Sequence, residues 1–382
     1  MRSAFFFEMT GRELIKYLEE WAPKGIAWEK DNVGVQVGDP EKKIKNLILS
    51  LDLTEEVIHE AIKENCNLII THHPLLYYSL KNLDFSTNKN AALIEKMIKN
   101  NILLYSAHTN LDFTKHGVSF QLAKRLSLKN ISFLKNLSEN QFKLSVFVPV
   151  SHISKVADAM HQAGAGIIGE YTNCSFRTNG IGTFKGSNKS KPALGKKEKV
   201  ETVEEAKLEI IIDQWNLNKV INSMKNAHPY EEVAYDVYPL KNDNVNFGIG
   251  ALGNLNETMN VKEFLNFVSS KLKTPVLRYA NGRVKSIKTV AVCGGSCGEL
   301  LGEAIKQKAD AFVTADLKYH TFQDAEKKIL LIDAGHYETE VPVLDEIKNR
   351  LELLLNGNKK IKILKFKGST NPIVFYNKSG AN

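Results

Sequence analysis

The chain has 382 residues, 43% hydrophobic and 25% charged, which gives room for two or three domains and excludes a disordered, collagen-like or coiled-coil chain. No apolar run approaches the ~20 residues that span a bilayer, and Glu8 stops the Ala4–Phe7 cluster too early for a signal-peptide core, so a cytoplasmic protein is expected. The net charge of +8 favours a small anionic ligand without requiring nucleic acid, and four cysteines (Cys66, Cys174, Cys293, Cys297) are too few for a disulfide framework and read as reduced thiols.

The first third alternates helix and strand signals. Thr10-Gly-Arg-Glu13 is a capping box, and Leu14, Leu18 and Trp21 then share one helical face. Asn46–Leu53 reads as a buried strand, Glu55–Glu64 as a helix, Asn67–Thr71 as a strand, Ala91–Lys99 as a helix and Ile102–Ser106 as a third strand. This rhythm predicts a parallel sheet covered on both faces.

From Phe142 the texture changes. Strand Lys143–Pro149, helix Ser151–Gln162, strand Cys174–Phe184, strand Lys207–Ile212, helix Leu217–Asn226 and strand Val233–Leu240 follow in the β-α-β-β-α-β order of a ferredoxin-like split unit. Six lysines fall between Lys185 and Lys199, which reads as a solvated loop. The α/β rhythm then resumes with strand Thr289–Cys293, a Gly-rich turn, helix Gly298–Gln307, strand Ala311–Thr314, helix His320–Lys327, strand Ile329–Asp333 and one long helix from about Glu338 to Leu355. The expected organisation is therefore an α/β core made of residues 1–126 and 248–382, interrupted by an α+β insert at 127–247.

Ten histidines occur, and several follow predicted strand ends. Thr71-His72-His73-Pro74 follows one strand, His108-Thr-Asn-Leu-Asp112 another, and Gly335-His336 with Glu340 a third. Ligand sites of open α/β sheets form at such carboxyl ends. His336 and Glu340, four apart, share one helical face, whereas adjacent His72 and His73 should point apart in a strand and serve two ions. Imidazole nitrogens with Asp112 and Glu340 oxygens suit Zn²⁺, Mn²⁺, Fe²⁺ or Co²⁺ better than Ca²⁺. His108 fits three roles: a ligand, a group that orients a ligand, or a proton shuttle. Asp52 and Asp333 end strands and are expected at most to support ligands. Asp316-Leu-Lys318-Tyr-His320 offers an acid, a base and an imidazole at a fourth strand tip. Cys293-Gly-Gly-Ser-Cys297-Gly298 lacks the spacing of a phosphate loop, and no second Cys or His pair makes it a zinc knuckle.

Thr71-His-His-Pro-Leu75, Ser106-Ala-His-Thr-Asn-Leu-Asp112, Asp316-Leu-Lys-Tyr-His320 and Gly335-His336 with Glu340 resemble the signatures of the Nif-three-like family, often labelled GTP cyclohydrolase 1 type 2 homologues. Ile168-Gly-Glu-Tyr-Thr-Asn-Cys-Ser-Phe176 and His228-Pro-Tyr-Glu-Glu-Val-Ala-Tyr235 resemble the insert of its longer bacterial members, so the likeness covers nearly the whole chain. The resemblance implies two divalent ions per chain, zinc foremost, with His73 and Asp112 on one, His72 and His336 on the other and Glu340 bridging. It also implies an insert of the PII/CutA type and a toroidal homohexamer. One departure is Cys297, where the family turn has Gly. The expected activity is metal-dependent hydrolysis of a nucleotide-like, phosphorylated or cyclic amidine substrate, with His108, Lys318 and His320 as catalytic candidates. The rival expectation is a non-enzymatic metal-binding or regulatory protein whose insert senses a ligand.

Overall fold

The computed structural model describes residues 9–355 and 360–376, so the Ala4–Phe7 cluster lies outside the described residues. The chain divides into two units, Met1–Lys135 with Gly248–Asn382, and Asn136–Phe247.

In the first unit, Thr10 opens helix Gly11–Trp21 by a reciprocal cap: its hydroxyl accepts the Glu13 N–H, and the Glu13 carboxylate accepts the Thr10 N–H. Leu14 and Leu18 of that helix are buried against Leu47, Leu49, Leu68 and Ile70. Those four residues belong to a five-stranded sheet ordered Gly34–Val37, Leu103–Ser106, Leu68–Thr71, Leu47–Ser50 and Ile363–Lys365. Every residue of the three middle strands is buried, because alternate side chains enter cores on opposite faces: Ile48, Ile69 and Leu104 pack with Val57, Ile58 and Met97 on the other side. The expected parallel pairing holds for four strands, while the edge strand Gly34–Val37 runs antiparallel to Leu103–Ser106.

A second sheet, formed mainly by residues of this unit, has the order Arg278–Ala280, Leu330–Asp333, Ala311–Ala315, Ser286–Ser296, Asp243–Asn260 and Lys129–Ser138. Its three expected strands pair in parallel. The expected Gly-rich turn after Cys293 is instead strand as far as Ser296, and the expected long helix is two helices, His336–Glu340 and Val343–Leu354. Pro342 separates them, since it has no N–H to donate back into a helix and its ring crowds the preceding turn. Cys293 and Cys297 are joined as a disulfide, which corrects the reading of four reduced thiols; Cys66 and Cys174 are free.

The second unit has an antiparallel sheet ordered Phe176–Lys185, Val200–Asp213, Gln141–Pro149 and Tyr235–Leu240. Helices Ile153–Gln162 and Leu217–Ala227 contribute Val156, Met160, Val220 and Met224 to a core with Leu144, Val146, Leu208 and Ile210 of the sheet. Among the described residues no helix is long and apolar enough to cross a membrane.

Candidate metal centre

The strand Leu68–Thr71 stops just before the paired histidines. The His72 and His73 amides both donate to the Leu51 carbonyl, at 3.1 and 3.0 Å, and the Thr71 hydroxyl donates to the His73 carbonyl at 2.8 Å. The chain therefore turns at the strand tip, and the two rings lie 4.9 Å apart rather than on opposite faces as alternation predicted.

Four imidazoles are held in the same manner. His72 Nδ1 lies 2.8 Å from the Ala107 carbonyl, His73 Nδ1 2.7 Å from Asp52 Oδ1, His108 Nδ1 2.9 Å from Asp31 Oδ1, and His336 Nδ1 2.6 Å from Asp316 Oδ2. An Nδ1–H donated to oxygen fixes the tautomer and leaves Nε2 as a lone pair, as a metal-binding histidine requires. The Nε2 atoms converge. His73 Nε2 and His336 Nε2 lie 3.0 and 3.1 Å from Glu340 Oε2 and 3.3 Å from each other, while His72 Nε2 lies 3.6 Å from Asp112 Oδ1 and 3.9 Å from Glu340 Oε2. Potential ligand atoms of His72, His73 and His108 fall within 4.8 Å of one another, as do those of His73, His336 and Glu340.

The five residues expected as ligands thus meet at one place. Asp52 holds His73 Nδ1, and the Nε2 of the same ring faces Glu340 and His336.

Buried atoms in the cluster show that a cation fits. His72 Nε2, Asp112 Oδ1 and Glu340 Oε2 have no hydrogen-bond partner of proper geometry, a costly state for buried polar atoms that coordination would relieve. Burial takes His72 down to about 3 against the pull of Glu340, so it is a neutral donor. Burial opposes protonation of His73 and His336 too, but Asp52 and Glu340 raise the first to about 10, and Glu340 with Asp316 raises the second to about 9. Burial and the neighbouring Glu340 charge push the Asp112 carboxyl well up, whereas the His336 and His73 imidazoles outweigh burial at Glu340 and hold it low. In the metal-free protein, protons on His73 and His336 supply positive charge that Glu340 needs.

The backbone leaves room for this packing. Gly295 has φ +70°, and a Cβ there would lie 2.2 Å from Glu340 Oε1. Its N–H donates to Thr339 Oγ1 at 3.1 Å, tying the extended Cys293–Ser296 segment to the helix that carries His336 and Glu340. Asp316 is also left-handed, at φ +53°, a conformation its short side chain tolerates.

Asp52 takes His73 Nδ1, whereas Asp333 pairs with Arg278 and accepts the Leu317 N–H. Asp31 was not visible as a site residue in the sequence, since it precedes His108 by 77 positions and lies in a loop. The His108 and Thr109 hydrogen bonds outweigh burial and hold its carboxyl at about 2. Lys318 and His320 are exposed where helix Tyr319–Ala325 begins, and among the described residues no hydrogen bond or ion pair joins either to the cluster. A separate pocket of about 710 Å³ lies in the second unit and is lined in part by Phe147, Phe184, Glu205, Lys207 and Tyr230.

The model of the Duf34/NIF3 (NGG1p interacting factor 3) family matches residues 9–372. Two similar chains are both called GTP cyclohydrolase 1 type 2 homolog. The one from Halalkalibacterium halodurans is 40% identical over 352 residues, covering 92% of this chain and 94% of its own; that from Bacillus subtilis is 38% identical over 371 residues, covering 96% and 99%. The crystal structure of a Bacillus cereus protein related to NIF3 is 36% identical, with a TM-score of 0.80 over 97% of this chain and 100% of that one. With nearly its whole length matched in sequence and in structure, the chain belongs to the Duf34/NIF3 family.

Proposed function

We propose that the chain binds two divalent ions, zinc foremost, through His72, His73, Asp112, His336 and Glu340, and hydrolyses a nucleotide-like, phosphorylated or cyclic amidine substrate. The observation that carries this reading is the convergence of imidazoles whose Nδ1 atoms are each held by a carbonyl or carboxylate oxygen. The mixed nitrogen and oxygen donors suit zinc, manganese, iron or cobalt. The name shared by the relatives supports, by likeness, a nucleotide-like substrate class.

The chemistry such ions supply when bound is Lewis acidity, which lowers the pKa of water and polarises a substrate oxygen. Asp112 and Glu340 together bring two negative charges against four positive, which leaves a site attractive to an anionic substrate. Ala107, Asp52, Asp31 and Asp316 keep the rings from rotating. His108, its Nδ1 held by Asp31, is the group we assign to proton movement beside His72 and His73. Lys318 and His320, on the same segment as Asp316, are assigned to charge neutralisation and protonation of the leaving group.

In the same reading, residues 127–247 are a ferredoxin-like insert of the PII/CutA type within a cytoplasmic, toroidal homohexamer. The strand order of the second unit supports the insert assignment. A second reading, a non-enzymatic metal-binding or regulatory protein with a ligand-sensing insert, is favoured by the 710 Å³ pocket in that unit. Elemental analysis followed by a hydrolase screen across nucleotides, phosphoesters and cyclic amidines separates the two. Turnover that depends on the loaded metal supports the first; a loaded protein inert across the screen supports the second; a chain that takes up no metal refutes the first.

A further inference from the structure

The last described segment of the chain returns to the metal centre. Strand Ile363–Lys365 lies parallel to Leu47–Leu49, and the Phe366 amide donates to the Leu49 carbonyl at 2.9 Å. The chain then passes over the same strand end. Thr370 Oγ1 donates to Asp52 Oδ2 at 2.7 Å, while Oδ1 of that carboxylate takes His73 Nδ1. The next residue, Asn371, donates from Nδ2 to Glu338 Oε1 at 3.0 Å, and Glu338 lies two positions from both His336 and Glu340. Two adjacent side chains therefore hold the support of an N-terminal ligand and the helix that carries both C-terminal ligands.

We propose that residues 366–371 form a clasp on the metal centre, in which Thr370 is a positioning residue for His73 through Asp52 and Asn371 anchors the helix His336–Glu340. The inference rests on the metal-binding reading above. Rotation of a carboxylate about its last side-chain bond is soft, so one hydrogen bond from His73 does not fix Asp52. Among the described residues Thr370 is the only hydrogen-bond partner of Asp52 Oδ2, and with both oxygens engaged a single carboxylate orientation remains. That orientation aims His73 Nε2 at Glu340 and His336. Glu338 is set in turn by Gly335, whose φ of +89° and missing Cβ admit the Glu338 carboxylate, since a Cβ there would lie 2.2 Å from Oε2. The clasp thus acts on affinity and release of the ion at His73 without contributing a ligand.

The test compares Thr370→Val, Thr370→Ser and Asn371→Ala with the wild-type full chain, using zinc competition against a chromophoric chelator and the dissociation rate into excess chelator. Loss of a supporting contact of this kind typically weakens metal binding about 10- to 100-fold. Thr370→Val should weaken one zinc-binding step by that factor and speed its release, while Thr370→Ser, which keeps the hydroxyl, stays within about threefold of wild type. Asn371→Ala, which leaves Asp52 and Thr370 untouched, should speed release as well, and it tests the clasp independently should Thr370→Val fold poorly. Wild-type affinity and release in both Thr370→Val and Asn371→Ala would overturn the clasp, and so would Thr370→Ser behaving like Thr370→Val. Wild-type protein that binds no zinc would overturn the metal-binding reading itself, and the clasp with it.

Discussion

Replacing Gly295 by Ala tests whether the backbone there must come so close to Glu340. The added Cβ would lie 2.2 Å from Glu340 Oε1 and 3.5 Å from His336 Cε1. An ordinary C···O contact is about 3.3 Å, so the carboxylate or the strand must yield by roughly 1 Å. Holding an L-residue at φ +70° adds about 1–2 kcal/mol, and crowding of a packed site about 1–3 kcal/mol. At about 2–4 °C per kcal/mol for a unit of this size, the melting temperature of the metal-free protein should fall by roughly 4–20 °C. Metal affinity should fall as well, because a carboxylate displaced from His73 and His336 loses its shared position between them. Thermal melts with and without chelator, alongside a zinc titration, measure both effects. A variant that melts within about 2 °C of wild type and binds zinc normally would refute the argument from close approach.

Glu340→Gln should weaken metal binding at both positions, since its carboxylate lies 3.0, 3.1 and 3.9 Å from His73, His336 and His72; unchanged metal content by elemental analysis would contradict this. Asp316→Ala, which removes the partner of His336 Nδ1, should cost about 10- to 100-fold in metal affinity in the same titration. Because His73 and His336 hold protons up to about 10 and 9 in the metal-free chain, metal uptake at pH 7 should release about two protons, and affinity should climb with pH until these groups have titrated. Calorimetry in two buffers of different ionisation enthalpy counts those protons, and a count near zero would reject the assignment of charge. Replacing 136–247 by a short linker should preserve metal uptake, because the added-Cβ position of Gly248 lies 2.6 Å from the Lys135 carbonyl oxygen and the two ends already run side by side. Loss of all metal from a folded deletion protein would show that the first unit needs the second.

The sequence revealed buried strands and charged strand tips better than it revealed edges. Leu47–Ser50, Leu68–Thr71 and Leu103–Ser106 are apolar on both faces and stand out at once. Lys129–Ser138 and Asp243–Asn260 are long strands rich in Asn, Lys and Gly; Val245, Phe247, Ile249 and Ala251 alternate in the second, a signal diluted by the Asn and Gly residues between them. Pro342 was a break signal overridden by the apolar spacing on either side of it. At the site, histidines near acids after strands were legible because residue type and position agree. Asp31 was not, for its role depends on a loop meeting His108 in space. The orientation of His73 depends likewise on Asp52 and Thr370, separated by 318 positions.

The proposed ligands lie on both flanks of the second unit in the chain: His72, His73 and Asp112 before it, His336 and Glu340 after it. During synthesis the first three emerge more than two hundred residues ahead of the others, in a half-sheet whose edge strand Ile363–Lys365 does not yet exist. Completion of the first sheet must therefore await synthesis of Ile363–Lys365, and such long-range parallel pairing is intrinsically slow. Metal supplied to a chain synthesised only as far as Asp112 meets three of the five proposed donors. A chain cut before His336 would lack the other two together with the first sheet's edge strand, whereas one cut after Glu340 would keep all five donors and lose only that strand and the contacts of Thr370 and Asn371.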